Sequence, residues 1–447
     1  VRVDVKTAYL QSDPVSQSQL GNETKKRILL TPPSLLRKWI PEGSLLEILS
    51  NIYGLRTAGA IWSATFSKWI FSQGFRASAY DSQIFVNEQT GLVVVLYVDD
   101  VVILGDSHKN AVFCKKLSER FVCTPPEYLA NATEDKPWMF LSHQFHIEKI
   151  QSQPHLVMSH SRYLQDFVTR QIGRYGNLPG IKSLHPEVFD MEHLRKGAKI
   201  TPQDLFQLRS VVGSLLYSSF CCRPDLTVAT HILARGQSLE KGTQQWMESA
   251  KHLIRYVASH TERHLKVKIP AISSDDLHMK SFHDANFTKE GSRVGSFLGL
   301  DVGDLFVPLG WTTSTIKSIC LSTAEAELVG TTNACKFMLG IRNVLNDVFG
   351  VKIKKLSLLG DNTAAVLMSN SQAYLRKVRH ISLADLFIRQ AVTEHSINVE
   401  HVSGDSNPSD LLTKVCREAR AVSYTHLRAH ETREERRGRA RGEKKSG

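Results

Sequence analysis

The chain has no run of eighteen apolar residues, no CxxC pair and no initiator methionine. Without a long apolar run it offers no segment that reads as a membrane-spanning helix. It opens on VRVDVK, with neither a charged leader nor an apolar h-region, and so reads as a fragment of something longer. Its seven cysteines are odd in number, with an adjacent pair at Cys221 and Cys222, which argues against a disulfide framework or a zinc knuckle. The chain therefore reads as an intracellular, reduced protein. Acidic residues are also in deficit, 44 against 56 Lys and Arg, and the net charge of +12 suits a polyanionic partner without specifying one.

At 447 residues with 42% hydrophobic content, there is room for two or three domains, each with a core. Residues 417–447 hold ten Lys or Arg against five Glu and supply +5 of the +12. They have almost no large apolar residue after Leu427, so the basic tail, 416–447, is expected to be disordered. It reads either as a nucleic-acid arm or as a passenger; VSYTHLRAHET resembles translated adaptor sequence. Residues 1–165 mix short β-rich runs with helical stretches, including an amphipathic segment at 58–73. The Gly/Pro-interrupted stretch 173–202 reads as a tether, and 207–231 and 244–256 as two packed helices. From about 278 strands take over, and Val-Gly-Asp within GSFLGLDVGDLFVPLGW suggests a hairpin turn.

Adjacent acids stand out inside the apolar stretch VVVLYVDDVVIL. Two β-branched runs around Asp99 and Asp100 read as a hairpin with the carboxylates at or beside its turn. Like charges so close stay ionised only if cations or solvent neutralise them. Magnesium, a hard cation that takes carboxylate oxygens and leaves room for phosphate, is the natural candidate. A solvent-exposed acidic turn is the bland alternative.

Two further blocks precede this one: VDVKTAYL, with Asp4 ending a β segment and Tyr9 five residues on, and IYGLRTAGAIW, which opens a helix with glycine and small residues. In this order, and continuing through MFLSHQF, SRYLQDF and LRSVVGSLLYSSFCCRPDL, the blocks resemble the copia-type retrotransposon reverse transcriptase over residues 1–415. The resemblance implies a palm in which Asp4 and Asp99 hold two Mg2+ ions, with Asp100 supporting them, for phosphoryl transfer to a primer 3′-hydroxyl. It also implies that Tyr9 is an aromatic gate against ribose and that Gly54 and Arg56 lie near nucleotide and template. Tyr9 could instead be a buried strand tyrosine, and Arg56 a solvated helix-face charge. GLRTAG stands where the family usually has GLKQAP, so Thr57 replaces a glutamine; Phe140, Leu141 and Ser142 stand for its FLG. Only three residues precede Asp4, where the family has its basic fingers.

A second acidic set follows. Asp284 in SFHDANF, Glu327 in LSTAEAEL, Asp361 in LLGDNTA and Asp410 in NPSDLLTK resemble the Asp-Glu-Asp-Asp metal site of the RNase H domain in the same family. Ser322 and Glu325 have capping-box spacing, which assigns Glu325 to the cap and leaves Glu327 free, ahead of a core stripe at Cys335, Met338, Ile341, Leu345 and Val348. Asp361 and Asp410 could each instead be helix N-caps.

The expected fold class is α/β (α+β): a reverse-transcriptase palm and thumb-like unit at 1–165, a helical connection at 166–275, and an RNase H-like mixed-sheet domain at 276–415. The resemblance implies an RNA-directed DNA polymerase with RNase H activity, using Mg2+ with Mn2+ as the alternative. Its partners would be RNA template, DNA primer, RNA–DNA hybrid, dNTPs and other Pol or Gag segments, in a cytoplasmic virus-like particle or the nucleus and not at a membrane. The competing reading is a catalytically defective remnant that only binds nucleic acid.

Overall fold

The computed structural model describes residues 1–13, 28–270, 277–288, 291–303, 305–317, 319–370 and 383–416. The basic tail beyond 416 lies outside them. The chain divides into two units, Val1–Asn131 with Asn343–Val351, and Ala132–Arg342 with the described part of Lys352–Gly447.

In the first unit, β1 (Arg2–Asp4), β4 (Arg76–Ala77), β5 (Ile84–Asn87), β6 (Leu92–Tyr97) and β7 (Asp100–Leu104) form an antiparallel sheet in the order β1-β7-β6-β5-β4. A small ribbon, β2 (Leu29–Leu30) and β3 (Leu46–Glu47), stands apart from this sheet. Alternation sends Val3, Val101 and Ile103 into the core, and with them go large side chains of α1 (Ala58–Ser72) and α2 (Ser107–Arg120). Trp62, Phe66, Phe75, Phe85, Phe113 and Phe121 are the aromatic members of this otherwise mainly aliphatic core. Burial of each contributes about 1.5–3 kcal/mol. Asp106 caps α2, its carboxylate accepting from the amides of His108 and Lys109 at 2.9 and 3.2 Å.

The second unit opens with β8 (Trp138–Phe140), β9 (His143–Ile150) and β10 (Gln153–Ser159), an antiparallel meander completed by the distant β11 (Leu265–Lys268). Between β10 and β11 lie α3 (Ser161–Tyr175), α4 (Met191–Leu194), α5 (Pro202–Cys221), α6 (Thr227–Ala234) and α7 (Gln244–Ala258). The stretch read as a tether is packed structure, because Leu184, Phe189, Leu194 and Ile200 are buried in the same core as Leu208, Leu215 and Leu253. The helix expected at 207–231 is two helices. Pro224, which has no amide hydrogen to donate, starts a 3-10 turn between them.

A mixed five-stranded sheet follows: β12 (His278–Asn286), β13 (Arg293–Val302), β14 (Leu305–Thr315), β15 (Lys355–Gly360) and β16 (Ile397–His401), ordered β14-β13-β12-β15-β16. The first three strands are antiparallel and the last two join parallel. Val302 pairs with Leu305 across the expected Val-Gly-Asp hairpin, where Gly303 takes a φ of 61°. The helices are α8 (Thr323–Phe349), α9 (Thr363–Asn370) and α10 (Leu383–His395). On α8, whose residues from Asn343 onward fall in the first unit, the stripe residues Cys335 and Met338 are buried and Ile341 is half-buried in the second unit, while Val348 is buried and Leu345 half-buried in the first. Among the described residues no helix is long and apolar enough to cross a membrane, and all seven cysteines are free thiols.

Candidate active sites

In the first unit the acids come together through strand pairing. Asp4 ends β1 directly opposite Asp100, the first residue of β7, and Asp99 lies in the two-residue turn between Tyr97 and Asp100. Val98, the other turn residue, has a φ of 54°, a left-handed conformation that costs a β-branched side chain of order 1–3 kcal/mol. The turn is held from both sides: the Trp62 indole N–H of α1 donates to the Val98 carbonyl, and the Val5 amide donates to the Asp99 carbonyl at 2.8 Å. Burial, then the charges of Asp99 and Asp100, hold the Asp4 carboxyl above its ordinary value. Arg2 Nε donates to Asp100 Oδ1 at 2.7 Å and so occupies one of its oxygens.

Tyr9 lies in the 3-10 turn Ala8–Gln11, half-buried and not in a strand, with its ring 4.9 Å from that of Tyr53. This contact brings the TAY and YGL blocks together. Gly54, with a φ of 97°, and Arg56 are exposed beside it.

The second set is tighter. Asp284 on β12, Asp361 immediately after β15 and Asp410 in the 3-10 turn Pro408–Leu412 present carboxylate oxygens within 4.8 Å of one another. Asp4, Asp99 and Asp100 do not close to that spacing. Glycine admits the third acid: Gly295 is the β13 partner of Asp284, and a Cβ there would stand 2.5 Å from Leu412 Cβ. Asn407 ties the same turn to β12, accepting from the Ser409 amide at 3.1 Å and donating to the His283 carbonyl at 2.9 Å. Neither acid is a helix cap. Asn362 caps α9, accepting from the Ala365 amide at 3.0 Å, and Asn407 caps the Asp410 turn.

Glu325 and Glu327 separate as their spacing predicts. The Glu325 amide donates to Ser322 Oγ at 3.2 Å, and its carboxylate accepts from the Leu321 amide at 2.6 Å, one residue earlier than in a standard capping box. Glu327 is 3% exposed, and its Oε2 has no hydrogen-bond partner among the described residues. Burial, then the charges of Asp284 and Asp361, push its carboxyl up to about 8. Asp361 is raised by burial and by Asp284.

The compensating cation is Lys414, a residue that the motif reading did not select although it lies one helical turn beyond Asp410. Its Nζ is 2.7 Å from Asp410 Oδ1 and 3.4 Å from Asp284 Oδ2, and Thr413 Oγ1 donates to Asp284 Oδ2. Burial opposes the Lys414 charge, but its bond to Asp410 and the Asp284 charge prevail and raise its pKa. Two carboxylates about 5 Å apart repel by roughly 3 kcal/mol at an effective dielectric constant of about 20. A cation among them removes that cost.

The Glu327 proton makes stability depend on pH. The unfolded chain releases it near 4.5 and the folded chain near 8, so the Glu327 contribution to stability falls as pH rises between those values and is level outside them. Glu327→Gln should therefore melt like the parent below the lower value and at a higher temperature above the upper one, measured by thermal unfolding in a chelator. Equal melting temperatures throughout would show that Glu327 is not buried as described.

Residues 1–137 match the family model described as "Reverse transcriptase (RNA-dependent DNA polymerase)". The chain is 24% identical over 429 residues to the retrovirus-related Pol polyprotein from transposon TNT 1-94 of Nicotiana tabacum, covering 93% of this chain and 29% of that protein. It is 25% identical over 422 residues to the corresponding polyprotein from transposon RE1 of Arabidopsis thaliana, covering 92% and 26%. It thus spans between a quarter and a third of the length of these relatives. Among solved structures, RNase H1 from Halobacterium salinarum NRC-1 aligns with 30% of this chain and 94% of its own, at 15% identity and a TM-score of 0.24. The N-terminal third of the chain thus matches a reverse transcriptase family model, and most of its length is similar to copia-type Pol polyproteins of plant retrotransposons.

Proposed function

We propose that this chain is the RNA-directed DNA polymerase and ribonuclease H portion of a copia-type Pol polyprotein. Residues 1–165 would act as palm and thumb-like region, 166–275 as helical connection and 276–415 as the nuclease. The observation that carries the reading is the convergence of Asp284, Asp361 and Asp410, with the unpartnered Glu327 oxygen beside them. An all-oxygen donor set fits Mg2+ or Mn2+ and not a softer ion. Asp284, Glu327, Asp361 and Asp410 would hold the ions of the nuclease, and Asp4, Asp99 and Asp100 those of the polymerase. When bound, such ions supply charge stabilisation for in-line phosphoryl transfer.

The protein's own part is placement. Strand pairing fixes Asp284 and Asp4, the Asn407 turn fixes Asp410, and the Lys414 ammonium balances the charge of Asp284 and Asp410. Distributed Lys and Arg would bind phosphates without reading sequence, which suits RNA template, DNA primer and RNA–DNA hybrid as partners and makes binding salt-sensitive. Tyr9, beside Tyr53 and Gly54, would face the incoming dNTP. An intracellular site, in a virus-like particle or the nucleus, belongs to the same reading.

A second reading, a remnant that binds nucleic acid without polymerising, is favoured at the first unit by the Arg2–Asp100 ion pair and the wider spacing of its acids. Primer extension on an RNA template decides between them. The enzyme reading expects divalent-dependent extension that falls by about a thousandfold in Asp99→Asn, or about 4 kcal/mol of transition-state stabilisation. No extension and no hybrid cleavage by folded parent protein, with hybrid binding retained, would favour the remnant.

A further inference from the structure

Apart from the acidic sets, the second unit holds one more group of potential ligands among its described residues: His143, His160 and Cys222. Each comes from a different element. His143 opens β9 after Leu141 and Ser142, whose φ values of 49° and 63° turn the β8–β9 hairpin. His160 directly precedes α3, and Cys222 directly follows α5. Their donor atoms lie within 4.8 Å of one another, and the three residues are 6%, 0% and 2% exposed.

The surroundings are built around the two rings. The imidazoles of His143 and His160 stack at 4.5 Å with planes 5° apart, Tyr163 stacks on His160 at 4.4 Å, and Tyr217 meets both histidines edge-on. Tyr217 also donates its hydroxyl to the Leu141 carbonyl, locking the hairpin that carries His143. His160 Nδ1 lies 2.7 Å from Ser218 Oγ, and His143 is hydrogen-bonded to the backbone at Leu141 and Phe140. Nε2 of both rings is nevertheless buried without a partner among the described residues. A buried polar atom left unpaired costs about 1–3 kcal/mol. Two of them beside a buried thiol call for a ligand.

We propose that His143, His160 and Cys222 form a binding site for a borderline-soft divalent cation, zinc by its donor chemistry, which ties the β8–β9 hairpin to the start of α3 and the end of α5. Neutral imidazole and thiolate are the ligand types zinc prefers, whereas magnesium requires oxygen donors, so this site and the acidic sets take different ions. Burial keeps both imidazoles uncharged, holding His160 down at about 3 and lowering His143. A ring whose Nδ1 is held by an oxygen and whose Nε2 is presented has the outer-sphere arrangement of a metal-ligating histidine. Coordination bonds of about 2.0–2.3 Å set donors roughly 3.3–3.8 Å apart, so the ion would draw the group in by about 1.5 Å at most and tilt the rings out of their stack. One metal–sulfur bond forms and the thiol proton passes to solvent, without redox change. Burial holds that thiol at about 12, so the proton is present to be released.

The test is cobalt titration of the chelator-stripped full chain in excess Mg2+, which occupies the oxygen sites. One equivalent of Co2+ should produce a thiolate-to-cobalt charge-transfer band, with release of about one proton per ion. Stoichiometric zinc should abolish the band and raise the melting temperature of the parent. Folded Cys222→Ser should lack the band and the zinc-induced rise, and His143→Gln should weaken cobalt binding at least tenfold. Absence of a charge-transfer band in the parent overturns the proposal whatever the variants do. A band of full intensity in folded Cys222→Ser or unchanged affinity in His143→Gln would overturn it as well.

Discussion

Asp284→Asn should lower cleavage of an RNA–DNA hybrid by about a thousandfold, or about 4 kcal/mol of transition-state stabilisation, while leaving the fold intact. The amide keeps an oxygen that can accept from Thr413, and the position stays on the central strand of the mixed sheet. What it loses is the charge that, with Asp361 and Asp410, would hold divalent ions. Asp361→Asn should behave in the same way. Glu325→Gln is the control, because glutamine still accepts from the Leu321 amide at the head of α8, and its activity should stay within about twofold. Loss of cleavage in Glu325→Gln with retention in Glu327→Gln would place the wrong face of α8 at the site.

Asp225→Ala should cost the second unit about 3–5 kcal/mol, the usual penalty for stranding one partner of a buried ion pair. Arg223 is 1% exposed, and its Nε and a terminal nitrogen donate to the two Asp225 oxygens at 2.8 and 2.7 Å. Tyr256 adds a hydroxyl at 2.9 Å, and Arg263 lies 3.6 Å away. Burial and the Asp225 charge drive the Tyr256 phenol far above its ordinary range. These groups join the turn after α5 to α7, and the Arg223 guanidinium also donates to the His260 carbonyl at 2.8 Å. Out of a domain stability of about 5–15 kcal/mol, such a loss is large enough to show as a collapse of the denaturant midpoint. Replacing both partners, Arg223→Met with Asp225→Leu, should recover part of it, since the Arg223 charge is then no longer stranded while Arg263 and the Tyr256 hydroxyl still lose their Asp225 partner. A single-variant loss below about 1 kcal/mol would mean that water reaches the site.

Much of both sites was legible because strands and caps leave local signatures. VVVLYVDDVVIL carries its hairpin in two β-branched runs, and the two-residue offset between Glu325 and Glu327 is enough to put one at a cap and the other in the interior. The cap readings of Asp361 and Asp410 failed by small offsets. Asn362 and Asn407 offer the same cap chemistry at neighbouring positions, and sequence does not choose between such neighbours. Residues 173–202 misled for a different reason. Their buried apolar residues are spaced irregularly among glycines and prolines, and only tertiary packing makes a core of them. Lys414 offered an i,i+4 pairing with Asp410, but its second partner, Asp284, comes from a distant segment, as do the members of the His143, His160 and Cys222 group. The absence of CxxC excludes a zinc knuckle but says nothing of ligands gathered from three elements.

The most direct test of the central claim is strand-resolved cleavage by the purified, folded chain of an RNA–DNA hybrid and of the matching DNA duplex, with Mg2+, with Mn2+ and with chelator. The RNA strand alone should be cut, and only with a divalent ion, because the 2′-hydroxyl distinguishes the strands. No hybrid cleavage with either ion, or equal cutting of the DNA duplex, would contradict it.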